Sequence, residues 1–318
     1  MKNNWIATSF QPLARGSLLA ALMTVVMGGI VRVTGSGLGC PDWPMCHGSL
    51  IPPWDLPSWI EYLHRLSAAV AGIFIVAMAA SGLVLFGAKH KYMRLVFVAV
   101  VLLVVQAGLG ALTVLSELSP GIALIHTGVA TALVGTLSFI VATTSIHKAV
   151  CSGADGICDT YKLRKVLMLL AVSTFIVILS GAYVTRSGAA SACTAIPLCG
   201  VIIEDMISLH WIHMTHRVLV FGLGLMMGVI CYAAVKIGDK RTMILAGLMT
   251  GLLSMQVLLG IGIVAMGLPT SLRALHLAIA VLFFAFVMLL VGSSRGAYDK
   301  DIKGYVAVIE TSSGGGVK

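Results

Sequence analysis

Four histidines set in apolar stretches are the residues of this chain best suited to chemistry. His64 and His126 lie in its first half, His216 and His276 in its second. Each second histidine follows a glutamine by 20 residues, Gln106 before His126 and Gln256 before His276, and both glutamines sit in Gln-x-x-Leu-Gly. The first histidines stand in Glu61-Tyr-Leu-His64-Arg65 and His213-Met-Thr-His216-Arg217. Ionisable groups inside membrane-length apolar segments are costly and point to function. Two imidazoles per half, with no further nitrogen, sulfur or carboxylate ligand recurring in both, suit the axial positions of a flat iron macrocycle better than tetrahedral zinc. His64, His126, His216 and His276 are accordingly assigned as metal ligands. His47 and His210 have no counterpart in the other copy, and His90 and His147 fall in loops; none of these four is assigned a role.

The copies differ where Glu61 faces His213. Three residues before His64, Glu61 shares its helical face one turn away. A carboxylate there can hold substrate, move protons or stabilise a cationic intermediate. A conduit that only passes electrons has no need of different groups in its two halves, so Glu61 is the expected catalytic residue.

Two cysteine pairs repeat as well, Cys40 with Cys46 and Cys193 with Cys199, each with five intervening residues and ending in Pro-x-Cys. Placement outside the cytoplasm favours disulfides, and a redox-active pair near the macrocycle edge remains an alternative. Cys151 and Cys158 are expected as cytoplasmic thiols and Cys231 as a filler between helices. The segment 32–46 is dense in turn residues, but no Gly-Lys-Ser/Thr follows its glycines. It reads as a lid over a site, not as a phosphate loop.

These residues must be positioned by helices in a bilayer. The chain has 318 residues, is 58% hydrophobic and 10% charged, and has a mean hydropathy of +1.01. Such a surface faces lipid. Apolar stretches at 16–31, 66–86, 95–116, 121–146, 166–185, 218–235, 242–272 and 274–294 are long enough to span, which predicts eight helices. The first lacks a cleavage pattern and is expected to be retained. Sixteen of the 21 Lys and Arg residues fall on the side of both termini, predicting cytoplasmic ends in a multi-pass cell (inner or plasma) membrane protein. The net charge of +9 is then a topology signal, with no nucleic acid implied. The basic residues left outside are Arg32, Arg65, Arg186, Arg217 and Arg273, whose forks suit carboxylates such as heme propionates. Arg65 and Arg217, beside the histidines, are the first candidates for that contact.

The copies are offset by 150 residues at the glutamines and second histidines and by 153 at the cysteines. Each half starts and ends on the same side, so the repeat is parallel. The predicted fold is all-α and integral to the membrane, with eight transmembrane helices forming two pseudo-symmetric four-helix bundles. The domains expected are 1–147, a linker at 148–165, 166–295, and a polar tail at 296–318. Closely spaced glycines (Gly108 and Gly110, Gly222 and Gly224, Gly260 and Gly262) are expected to serve helix packing.

Residues 28–48, from Gly28-Gly-Ile-Val-Arg32 to Pro44-Met-Cys46-His-Gly48, closely resemble the heme A synthase family of the bacterial CtaA type, as do Glu61-x-x-His64-Arg65 and the three further histidines. The resemblance covers all eight spans. It implies an enzyme that oxidises the C8 methyl of heme O to a formyl group, giving heme A for terminal oxidases. His64 and His126 would hold substrate heme O with Glu61 essential nearby, and His216 and His276 would hold a heme b cofactor. Implied partners are heme O synthase, the terminal oxidase assembly and an electron-transfer partner such as a quinone. Rival readings are a diheme b-type cytochrome that only transfers electrons, and a heme transporter.

Overall fold

The computed structural model describes residues 9–144, 160–200 and 204–294. Eight long helices account for nearly all of them: α1 Phe10–Val33, α2 Leu56–Phe86, α3 Lys91–Leu115, α4 Pro120–Thr144, α5 Thr160–Arg186, α6 Ile207–Ile237, α7 Lys240–Ala265 and α8 Thr270–Ser293. All eight contain a stretch long and apolar enough to cross a bilayer. Among the described residues no strand forms beyond an isolated Cys46–Ser49 bridge. The protein is an all-α, multi-pass membrane protein. Part of the linker (148–159), with Cys151 and Cys158, lies outside the described residues, as do His147 and the tail 296–318.

At α2 and α7 the helix start follows capping chemistry more closely than hydropathy. Asp55 accepts from the Ser58 N–H at 3.0 Å and starts α2, so that helix begins ten residues before the apolar stretch at 66–86. The polar Glu61, His64 and Arg65 are thereby helical, because a cap satisfies otherwise orphaned N–H groups whatever side chains follow. Asp239 does the same for α7 through Thr242 at 2.9 Å. The stretch 242–272 breaks at 266–269, where Gly267 and Leu268 have positive φ and Pro269 precedes α8.

In the first half α2 packs on α1 and α3, and α4 also packs on α1 and α3, so α2 and α4 take opposite corners of a four-helix group. In the second half α6 and α8 take the corresponding corners, with α5 and α7 between them. The two groups meet through α4 against α8, α1 against α8, and α4 against α5. One apolar cluster draws on α1–α4 with Val281 and Ala285 of α8, and the other on α5–α8 with Phe139 of α4. Gln11 donates to Thr144 and ties the start of α1 to the end of α4. Large side chains such as Phe97, Val104, Phe221 and Val229 face outward, as expected where lipid is the solvent and packing, more than water exclusion, joins helices.

The glycines that permit close approach differ from those expected. A Cβ at Gly135 would come 2.7 Å from the Phe284 ring, and one at Gly292 would come 2.5 Å from Ala142 Cβ, so these two close the α4–α8 contact. A Cβ at Gly108, Gly222 or Gly224 would meet nothing within 4 Å, so the packing role expected of those three is not theirs. Close spacing on one helix says nothing about whether a partner helix lies opposite.

Candidate functional site

Each histidine faces a glycine on the preceding helix. A Cβ at Gly28 on α1 would lie 3.0 Å from Cε1 of His64 on α2, and one at Gly181 on α5 would lie 3.0 Å from Cε1 of His216 on α6. Gly110 on α3 stands in the same relation to His126 on α4, at 3.4 Å, and Gly260 on α7 to His276 on α8, at 3.3 Å. A methyl at the closer pair would push the ring aside. Sequence reasoning missed Gly28 and Gly181 and assigned Gly110 and Gly260 to packing. Their spacing, 153 residues for the first pair and 150 for the second, matches the offsets of the cysteines and glutamines and was the available signal.

His64 and His126 stand on opposite-corner helices within electrostatic reach of each other, and His216 and His276 do likewise. The Nδ1 atoms of His64, His126 and His276 are buried without a hydrogen-bond partner. Nε2 of His126 meets the Gln106 amide at 3.1 Å, whereas Gln256 Oε1 is buried and unpartnered. Among the described residues no group of three or more His, Cys, Asp or Glu side chains gathers to hold a bare metal ion. Two imidazoles across a bundle suit a metal whose remaining donors come with the ligand, as in a porphyrin.

Glu61 is 5% exposed and accepts from Nε of Arg65 at 3.1 Å, one turn along α2. Burial distinguishes it from a solvated helix-start glutamate. At the matching place His213 is 7% exposed and pairs through Nδ1 with the Ala189 carbonyl at 3.0 Å. One copy thus presents a buried carboxylate beside its first histidine, the other a buried imidazole held by backbone.

Arg65 and Arg217 hold the disulfide-bearing loops that precede α2 and α6. Arg65 donates to the carbonyls of Cys40, Asp42 and Met45 at 2.7–2.8 Å. Arg217 donates to those of Ala195, Pro197 and Leu198 at 2.8–3.2 Å. Disulfides Cys40–Cys46 and Cys193–Cys199, with Cα separations of 4.5 and 4.4 Å, close the loops around the two guanidinium groups. Four of the five Arg65 donors are engaged, with Glu61 the only charged acceptor. In the first loop the Gly48 N–H at 2.7 Å and the His47 N–H at 2.6 Å hold the Asp42 carboxyl below the usual carboxylate range.

Arg32 and Arg186 are placed otherwise. Arg32 on α1 reaches across the halves to donate to Thr185 Oγ1 at 3.0 Å. It lies within electrostatic reach of His276 and of Arg186 and Arg273, while Arg186 on α5 lies within reach of His126. The Nε atoms of Arg32 and Arg186 are buried without a partner. Each half therefore sends an unsatisfied arginine toward the histidines of the other. Such buried donors call for an anionic ligand.

The family described as cytochrome oxidase assembly protein (COX15-CtaA) matches residues 12–288. The chain is 30% identical to a protein named heme A synthase from Exiguobacterium sibiricum over 84% of this chain and 89% of that one. It is 30% identical to a heme A synthase from a second Exiguobacterium strain over 85% and 88% of the two chains. A Shewanella oneidensis heme A synthase is 28% identical over 83% and 90%. With the family match running from α1 into α8 and these relatives aligned over most of their length, this chain belongs to the cytochrome oxidase assembly protein family.

Proposed function

We propose that this protein is a heme A synthase, a membrane oxidoreductase that takes heme O as substrate and oxidises its C8 methyl to a formyl group, supplying heme A to terminal oxidases. The observation that carries this reading is the buried carboxylate of Glu61 beside one of two otherwise matched histidine pairs. Kinship with proteins named heme A synthase supports the activity.

In this reading residues 1–147 form the substrate domain, with His64 and His126 as ligands to the iron of heme O. Residues 166–295 form the cofactor domain, in which His216 and His276 hold heme b; the buried, unpartnered histidine and arginine nitrogens and the glycine cradles fit such a group. Heme b supplies one-electron redox chemistry when bound. The parallel repeat, with both termini cytoplasmic, puts both pairs toward the outer face, beneath the disulfide loops. The farnesyl tail of heme O stays among lipid-facing apolar side chains between α2 and α4. The methyl is oxidised in two two-electron steps, each taking its oxygen from water and releasing two protons, to the alcohol and then to the hydrated aldehyde, which loses water; the four electrons pass to the electron partner. Glu61 lies against the reacting edge and takes up protons or stabilises positive charge there, and Arg65 sets its position. Unsatisfied donors on Arg32 and Arg186 make these two better propionate contacts than Arg65, whose donors are nearly all engaged; Arg217, with NH2 buried and unpartnered, stays a candidate beside them. A quinone, or the cysteine pairs, is the electron partner; heme O synthase and the oxidase assembly are the neighbours that supply substrate and receive product.

Pigment extraction from protein co-produced with a source of heme O tests the reading. One equivalent of heme b with a variable amount of heme O or heme A is expected. Two equivalents of heme b and nothing else would instead make the protein a diheme cytochrome. Loss of heme A in Glu61→Ala with heme b retained is the sharper outcome.

A further inference from the structure

The four candidate iron ligands differ in the side-chain partner of Nδ1, which His216 alone among them has. Ser180 Oγ lies 2.8 Å from Nδ1 of His216, and its hydroxyl donates to the Val177 carbonyl, also at 2.8 Å. A hydroxyl has a single proton. With that proton on Val177, the oxygen meets His216 as an acceptor, so the imidazole keeps its proton on Nδ1 and presents a bare Nε2. That tautomer is the one an iron ligand needs at Nε2. The Nδ1 atoms of His64, His126 and His276 are buried and meet no side-chain partner; only the backbone of Thr24 and of Gln256 approaches His64 and His276.

The matching place in the first half is occupied by Met27. Met27 and Ser180 each directly precede the glycine that faces the first histidine of their half, Gly28 and Gly181. Thr24, which corresponds to Val177, offers His64 a backbone contact, but it falls short of ordinary hydrogen-bond geometry at Nδ1 and no hydroxyl bridges the two. A thioether is at most a weak acceptor and cannot replace one.

We propose that Ser180 is a positioning residue that fixes the tautomer and ring orientation of His216 and so makes the second-half site a permanent one, while Met27 leaves His64 free to release its macrocycle. This rests on the assignment of heme b to His216 and His276. An acceptor on the far nitrogen raises the basicity of a ligating imidazole and holds its ring, and removing such a partner costs roughly 10–100-fold in metal affinity. A resident cofactor needs that grip. A substrate that must leave as product does not.

The test uses the full-length protein in detergent with its heme, mixed with excess apomyoglobin as the heme acceptor. Ser180→Ala is expected to hand over its heme about tenfold faster or more. Its heme b midpoint potential is expected to rise and its low-spin resonance signals to move, because the ligand donates less to the ferric iron. Ser180→Thr, which keeps the hydroxyl, is expected to restore both toward the parent. Met27→Ser, loaded with heme O, is expected to release it more slowly than the parent. A Ser180→Ala protein matching the parent in transfer rate and potential overturns the proposal, and so does Ser180→Thr behaving no better than Ser180→Ala. His216→Ala separates the two levels: if it retains its heme b, the assignment of that heme falls and this inference with it. If it loses the heme while Ser180→Ala is unchanged, the inference falls alone.

Discussion

His64 and His216 stand at matching places on α2 and α6, each against a glycine at the same 3.0 Å, and each followed by an arginine that holds a disulfide loop. Their surroundings diverge within one helical turn. His216 is tied to Ser180, and its neighbour His213 is tied to the Ala189 carbonyl. His64 has no partner at Nδ1, and its neighbour Glu61 is a buried carboxylate whose recorded partner is Arg65. In the second half these polar groups are committed to protein partners. In the first, His64 Nδ1 lacks such a partner and Glu61 pairs only with the neighbouring arginine. The difference teaches that a duplicated scaffold can keep its cradle and loop clamps while exchanging a few polar groups, the groups that on the proposed function separate storage from turnover.

Exchanging those groups should break the comparison, and the carboxylate should matter most. Glu61→His, which copies the second half into the first, is expected to lower heme A formation by about 10²–10⁴-fold, the range for a lost acid–base group, with heme b content unchanged. His213→Glu is expected to leave heme A formation within a fewfold of the parent; both are read by pigment extraction.

The next effect separates the halves by cofactor content. His216→Ala is expected to yield purified protein without resident heme b, whereas His64→Ala keeps it and yields no heme A. Equal heme b loss from both variants would mean that the two sites are not specialised.

The glycine cradles predict a smaller, paired effect. Gly28→Ala and Gly181→Ala each place a methyl 3.0 Å from a histidine Cε1, and overpacking of this kind costs about 1–3 kcal/mol. Gly181→Ala should appear as weaker heme b retention and Gly28→Ala as a raised KM for heme O. Gly222→Ala, with nothing within 4 Å of the added carbon, serves as the neutral control in thermal unfolding.

Loop closure gives the smallest expected change. Opening either Cys40–Cys46 or Cys193–Cys199 by substitution with serine removes a crosslink over a short loop, about 2 kcal/mol by loop entropy. The first pair should also disturb activity, because its loop carbonyls hold Arg65 and Arg65 holds Glu61. The second should lower stability with little effect on turnover number. Identical activity losses from both would place the role of the loops outside the Arg65–Glu61 contact.

Much of this was readable before any fold was known. The eight helices follow from apolar length, and the disulfides follow from paired cysteines in matching loops, because both are local properties of the chain. Four histidines and one unmatched glutamate stand out for the same reason, since ionisable residues in apolar stretches are costly wherever the chain goes. The apolar stretch at 66–86 begins ten residues after α2 itself, because hydropathy cannot distinguish a polar helix face from a loop; it is the spacing of Glu61 and His64 that puts them on the helix.

What the tertiary structure decided is where unpaired donors and empty spaces lie, and these depend on neighbours far away in sequence. Arg65 and Arg217 were the obvious carboxylate binders by adjacency, yet they bind loop carbonyls about 20 residues upstream. Arg32 and Arg186 instead reach across the halves. Gly28 and Gly181 gain meaning only from the imidazoles opposite them, and Ser180 only from His216, 36 residues away. The sequence alone determined which chemical groups are present and in which helices. Packing, which brings distant helices within hydrogen-bond reach, decided which of those groups are satisfied and which are left to meet a ligand.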